Sequence, residues 1–540
     1  MSTVITGSNF NPANLSADGL YLETLTPPTY IRGVPTSLAG IVGTASWGWV
    51  NKPQLCSSPV SAAKLFGQLG SVALTDPYDL ATDLAIAFQQ GAKAPLAIWA
   101  TRVTDGTDTA ATATLMSSGT VPFSGITLSA INTGSLGNAF SVVLAQGSRS
   151  NTTSVSLIPF AGLTPELFPN LPNADFWNSL YSALQNGISN VRGPSSLVVP
   201  TLTASSSGTT GPALGSFSFA GGTDGRSGVT AQDLVGSAAS FPMSGLNAMQ
   251  SLNPPISVAW VVGSTDSAIY PEIQAFGDAA SVWCLGTLPS GLSTQEAVTE
   301  AQTQAIEDAN FSYAKDFIYW YDPINAIVRF LPPTAAIGGR VAALPPQSNP
   351  GNVPVYGVIG TERSSPYTGE QPYHSTEIGL LANAGIMVIA NPIPAGKVFG
   401  IRSGTTTAIM NPALQAESVV EYARVTNFLG QSLSQVMGIY ADKLQGNGPN
   451  DPLRQAVRQS LKNFLGSLVG SVIEDYLVTC TYQATGVAGN GINTAQSVAQ
   501  HFLYAMVQAK YLSSARFFIL AIQGGTTVVT STASAGGSLA

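Results

Sequence analysis

Residues 256–263, ISVAWVVG, and residues 281–286, SVWCLG, decide how this chain folds. Both are short runs with apolar side chains at most positions, the pattern of strands buried on both faces. Between them Ile273 and Phe276 are three apart, the spacing of one helical face. Downstream, Ser293 and Glu296 form a capping box that opens a helix over STQEAVTEAQTQAIEDA (293–309), and FIYWYD (317–322) follows as the next strand. Apolar strands alternating with helices call for a parallel or mixed sheet covered on both faces.

The same rhythm stands earlier in the chain. LAGIVGTA (38–45) is a buried strand, and Ser58 with Pro59 opens the helix PVSAAKLFGQL (59–69). Asp76 and Pro77 repeat that device for a helix carrying Leu80, Leu84 and Phe88 and stopping at Gly91, and PLAIWATRV (95–103) is a second strand. These strands and those after residue 250 are expected to share one sheet. Between them the texture changes to alternating segments such as GITLSAI (125–131), FSVVLAQ (140–146) and TTSVSLIPF (152–160), a mainly β insertion. Residues 193–216, rich in Ser, Thr and Gly, read as a loop.

Towards the C-terminus GIMVIANPIPAG (385–396) reads as strand and turn. Two long helices follow, over roughly 413–444 and 452–475, the second capped by Asp451 and Pro452, and then two strands, LYAMVQAKYL (503–512) and ARFFILAIQGGTTVV (515–529). The fold class is thus an α/β core, a mixed sheet with helices on both faces, with a mainly β inserted domain and extended N- and C-terminal arms. The expected divisions are an N-terminal arm (1–30), the first part of the core (31–105), the insertion (106–225), the second part of the core (226–395), a helical and strand domain (396–520), and a C-terminal arm and tail (521–540).

Only 9% of the 540 residues are charged, against about 25% in an average soluble protein. A surface built from Ser, Thr, Asn, Gln, Gly and Pro repels its own copies weakly, which suits a subunit packed against identical neighbours. A net charge of −8 without a basic tract argues against a nucleic-acid partner. The start, MSTVITGSNFNP, is not a signal peptide, and no apolar run reaches the ~18 residues of a membrane-spanning helix, which points to a soluble chain made in the cytoplasm. Cys56, Cys284 and Cys480 are too far apart for a metal or disulfide framework. They are either buried small apolar residues or a cross-link between subunits.

The tools of catalysis are scarce. There are two histidines, His374 in a polar loop and His501 at the start of an apolar segment, and none of the motifs GxSxG, GxxxxGK[ST], HExxH or CxxC. Glu417 and Glu421, with Glu377, form a carboxylate-rich group that fits a solvated face better than a metal site. Asp224, in GGTDG (221–225), sits in a turn where Asp commonly bonds its own backbone. The expectation is a structural protein, not an enzyme, with no cofactor and no metal.

GGTDG also resembles a motif that closes an inserted domain in contractile phage tail sheath proteins. Other segments follow in that family's order. They are residues 19–55 with Phe66–Gly67, ATRV (100–103), SLGNAF (135–140), FIYWYDPINAIVRFLPPTAAIGGRVAAL (317–344) and GIMVIANPIPAGKVFGIRSGTTTA (385–408), the last diverged between Ile386 and Thr407. The resemblance spans almost the whole chain through motifs that are each weak alone. It implies a homo-oligomer, a six-fold helical sheath of stacked hexameric rings that contracts around a tail tube. It also implies tail tube, baseplate and tail terminator proteins as partners, and a place in the virion after assembly in the host cytoplasm.

Two sets of residues follow from it. Strand exchange between subunits would use Leu20, Tyr21, Leu22 and Glu23 at one end and Phe517, Phe518, Ile519, Leu520, Ala521 and Ile522 at the other; the plain reading is an edge strand and a tail. Arg454, Arg458 and Lys462 recur every four residues on the helix opened by Asp451, opposite Val457, Leu461, Phe464, Leu465 and Leu468. They are either tube-binding residues or an ordinary solvated face. The competing functions are the sheath of a tailocin or another contractile injection system, and a polysaccharide-binding tail component. The latter's repeated β-helix period and paired carboxylates are absent from the sequence.

Overall fold

The structure is a computed structural model that describes residues 5–7, 21–23, 31–70, 76–91, 96–188, 192–203, 210–483 and 491–516, the first two stretches as backbone. At its centre is a nine-stranded mixed sheet. Its strands run in the order Val353–Pro354, Gly400–Arg402, Ile386–Ala390, Phe311–Lys315, Trp283–Thr287, Val258–Val261, Leu38–Gly43, Ala97–Arg102 and Gln54–Cys56. The six from Ile386–Ala390 to Ala97–Arg102 are mutually parallel, and Gly400–Arg402 and Gln54–Cys56 run antiparallel to them. Strands from before residue 106 and after residue 250 do share this sheet.

Side-chain alternation feeds two cores. Ala39, Ile41, Val258, Trp260, Trp283 and Met387 point to one face, under helices Pro59–Phe66, Leu80–Gln90 and Thr334–Ala342. Leu38, Val42, Ala259, Cys284, Phe311 and Ile386 point to the other, under Tyr270–Ala280 and Thr294–Gln304. On the first face Thr334–Ala342 lies so close that a Cβ on Gly339 would stand 2.8 Å from Ala87 Cα and one on Gly338 2.6 Å from the Trp260 ring. Glycine is what allows that layer to form.

Several expectations need correction. The helix after Ser293 ends at Gln304, and the strand that joins the large sheet is Phe311–Lys315. FIYWYD supplies Ile318–Asp322 to a separate antiparallel sheet with Ile327–Leu331 and Val358–Thr361. The cap of Leu80–Gln90 is Asp79, which accepts from Ala81 N; Asp76 instead accepts from Tyr78 N and Thr44 Oγ1.

The insertion contains two antiparallel sheets. One has the order Glu166–Pro172, Thr152–Ile158, Ser141–Gln146, Gly215–Ser218, and the other Val198–Leu202, Ser124–Ala130, Thr112–Met116. Their common core includes Leu115, Ile126, Val142, Phe168 and the helix Phe176–Asn186. Part of the expected 193–216 loop is therefore strand. Val198–Leu202, with its β-branched residues, pairs fully with Ser124–Ala130.

The C-terminal part is built on the helix Val420–Met437. Its Val420 and Ala423 lie in the core of the large sheet, whereas Val425 and Leu429 lie in a fourth core with Ile31, Val457, Leu461, Phe464 and Leu465. Gln431 Nε2 reaches the carbonyls of Ile256 (3.0 Å), Ala280 (3.2 Å) and Ser281 (2.9 Å), tying the helix to the sheet. The next helix, Pro452–Leu468, stops short of 475. Gly470 takes φ +81°, and Ile473–Thr479 becomes a strand antiparallel to Met506–Tyr511.

Candidate assembly surface

The cations of Pro452–Leu468 do not form one solvent stripe. A four-residue step turns an α-helix by about 40° beyond a full turn, so a row spaced by four drifts around the helix. Arg454 begins on the core side, 2% exposed, beside buried Val457, Leu461 and Leu465. Its Nη2 donates to the carbonyls of Gly446 (2.8 Å) and Gly448 (2.5 Å), its Nη1 lies 3.9 Å from Asp451 Oδ1, and its guanidinium lies 5.3 Å from the Tyr482 ring centroid. Arg454 does not reach the exposed face expected of a tube contact, because its donors hold the loop before the helix. Arg458 is half-buried, and Lys462 is exposed.

Asp451 caps this helix, accepting from Arg454 N (2.9 Å) and Gly446 N (2.6 Å). Burial opposes ionisation of its carboxyl. The two backbone donors and the Arg454 charge outweigh that and hold the pKa below the usual carboxylate range. Helix, cap and loop thus form one fixed unit.

Over it lie Ile473–Thr479 and Met506–Tyr511, which among the described residues form a sheet of two strands. Val478, Val507, Ala509 and Tyr511 pack inward, while Leu477 and Met506 are exposed. A two-stranded sheet is marginal alone and presents an edge on each side. At the N-terminal end, Tyr21–Glu23 pairs in parallel with Ile5–Gly7 of the same chain. Leu20 and the segment Phe517, Phe518, Ile519, Leu520, Ala521 and Ile522 lie outside the described residues.

The inserted sheets meet the core at a node that sequence reasoning missed. Arg102, fully buried at the end of its strand, donates from Nη1 to the carbonyls of Gly48 (2.7 Å) and Thr133 (2.7 Å) and from Nη2 to that of Asp224 (2.9 Å). Burial lowers its pKa to about 10, which leaves it charged at neutral pH. The Asp224 carboxylate reaches a distant amide instead of its own backbone. Its Oδ1 accepts from Ser135 N (2.5 Å), and its Oδ2 pairs with Arg226, which also lies 3.7 Å from Asp76. Trp47, from the core segment, inserts into the core of the insertion, 5.2 Å from Phe140 and 5.5 Å from Phe160 between ring centroids. The signal was present in the family-like pieces ATRV, SLGNAF and GGTDG, which converge here.

The remaining candidates are not brought together. Glu417 is exposed, Glu421 is buried and accepts from Asn349 Nδ2 and Ser514 Oγ (2.6 Å each), and Glu377 is held by Arg363 while capping a helix with His374. His501 is exposed, with φ +63°. No group of three metal-ligating side chains occurs among the described residues. The three cysteines are free and buried in the chain, as the small-apolar reading expects. No helix among the described residues is long and apolar enough to cross a membrane.

No family model and no curated protein matches the sequence. Solved structures do match the fold. The sheath tail protein of Desulfitobacterium hafniense is 12% identical over 86% of this chain and 93% of that one, with a TM-score of 0.52. That of Listeria innocua is 12% identical over 84% and 89%, with a TM-score of 0.53. The PVC sheath complex of an extracellular contractile injection system, in its contracted state, is 12% identical over 95% and 98%, with a TM-score of 0.51. Over 84% or more of its length the chain has the fold of these sheath proteins.

Proposed function

We propose that this chain is the structural subunit of a contractile tail sheath, stacked as hexameric rings around a tail tube and driving that tube through a host envelope by contraction. The observation that carries this is the likeness of fold to sheath tail proteins over 84% or more of the chain. The 9% charge content supports it, because copies with few charges pack together with little repulsion. The work expected of such a subunit is mechanical, and its partners would be further copies of itself, the tube, the baseplate and the tail terminator.

Rings must stay joined while they rearrange. In this reading Leu20–Glu23 and 517–522 lend strands to a neighbour, and the open edges of Ile473–Thr479 and Met506–Tyr511 receive them. Arg458 and Lys462 face the tube. A second reading, the sheath of a free contractile injection system, is favoured by the PVC sheath, which this chain matches over 95% of its length. A polysaccharide-binding role has no such support. Negative-stain electron microscopy of the purified protein tests the proposal, with hollow striated tubes expected and a compact monomer at high concentration contradicting it.

A further inference from the structure

The small sheet Ile318–Asp322, Ile327–Leu331 and Val358–Thr361 packs Ile318 and Trp320 into the core below the large sheet's first face. Its two charged side chains turn inward, Asp322 at 0% and Arg329 at 6% exposure, with Arg329 Nη1 bonding Thr82 Oγ1 at 2.5 Å. Its outward side carries the cross-strand pairs Tyr319 with Phe330 and Tyr321 with Val328. Tyr367 packs edge-on to Tyr319 at 5.7 Å, and Phe317 lies 5.3 Å from Phe330. Tyr321, Phe330 and Tyr367 are 48%, 43% and 71% exposed. With full aromatic areas of 150–250 Å², these six residues leave roughly 500 Å² of uncharged, mostly aromatic surface in water. That is as large as the largest patch of a typical monomer and more than half of the ~800 Å² one partner gives to a standard interface.

We propose that this aromatic face is a contact between subunits, covered by a second copy of this chain; the proposal rests on the sheath reading above. Area and charge select that occupant. An uncharged face desolvates without penalty only against an uncharged counter-surface, and a chain with 9% charged residues supplies one wherever two copies meet. Tyrosine suits the role because its ring buries area while its hydroxyl can bond across the interface.

The test compares the full-length protein with the double variant Tyr321→Glu, Phe330→Glu. Both side chains are exposed, so circular dichroism and the thermal midpoint of the unassembled protein should be retained, while polymer pelleted at a fixed concentration should fall at least tenfold. Independently, the thiol introduced by Tyr321→Cys, in a chain whose own cysteines are buried, should react with maleimide at least tenfold more slowly in pelleted polymer than in the soluble subunit. Polymer formed equally well by the double variant, with equal labelling in both states, overturns this contact and leaves the sheath reading standing. Normal self-assembly with lost attachment to tube or baseplate overturns it in favour of those partners. Failure of the unmodified protein to polymerise at all removes both.

Discussion

Arg102 holds three distant segments with one side chain: the turn at Gly48, the first inserted stretch at Thr133 and the closing turn at Asp224. Arg102→Ala would strand these carbonyls without donors in a buried site and should lower unfolding stability in urea by about 3 kcal/mol or more. Arg102→Lys should recover only part of it, because one ammonium cannot reproduce the planar fork. Asp83 is buried beneath Trp260, whose Nε1 donates to it at 3.0 Å, and burial pushes its pKa up to about 7. An unfolded Asp titrates near 4. Between those values the folded chain keeps a proton that the unfolded chain releases, so this group's contribution to stability falls as pH rises from 4 through 7. Urea unfolding should show a shallower pH slope for Asp83→Asn, with a gain at pH 8 and little change at pH 4; an unchanged slope contradicts the assignment. The roles of Arg102 and Asp224 are not legible residue by residue, because the backbone atoms they bond lie up to 122 positions away. An Asp in a glycine-rich turn carries no sign of whether it bonds its own turn or a distant amide.

Elements were legible where one period ran through them. Leu38–Gly43, Val258–Val261 and Trp283–Thr287 are buried on both sides and read as unbroken apolar runs. Helices failed at their ends. IEDYLVT carries nothing that stops a helix, and its strand forms because Met506–Tyr511 is there to pair with it. Spacing alone likewise cannot say where a helix face begins, and the four-residue row puts the buried Arg454 together with Arg458 and Lys462, which lie nearer solvent. With Arg454 committed to its loop, the charge test narrows to Arg458→Glu with Lys462→Glu. That variant should unfold within about 0.5 kcal/mol of the parent, as surface changes do. It should also lose binding to purified tail tubes in a cosedimentation assay, and normal binding would leave the pair an ordinary solvated face.

At the scale of the molecule, composition says little about shape. The order of weak motifs points to the fold, which solved sheath structures share at 12% identity. The proposed paths by which chains join are less legible in one sequence, since a strand lent to a neighbour or a face covered by another copy would have its partner outside the chain. Helical reconstruction by cryo-electron microscopy of the assembled full-length protein tests the central claim most directly. The expected result is a hollow tube of six-fold symmetry in which neighbouring subunits join strands at Ile473–Thr479 and Met506–Tyr511. A protein that stays monomeric at high concentration, or a filament without a lumen, would contradict it.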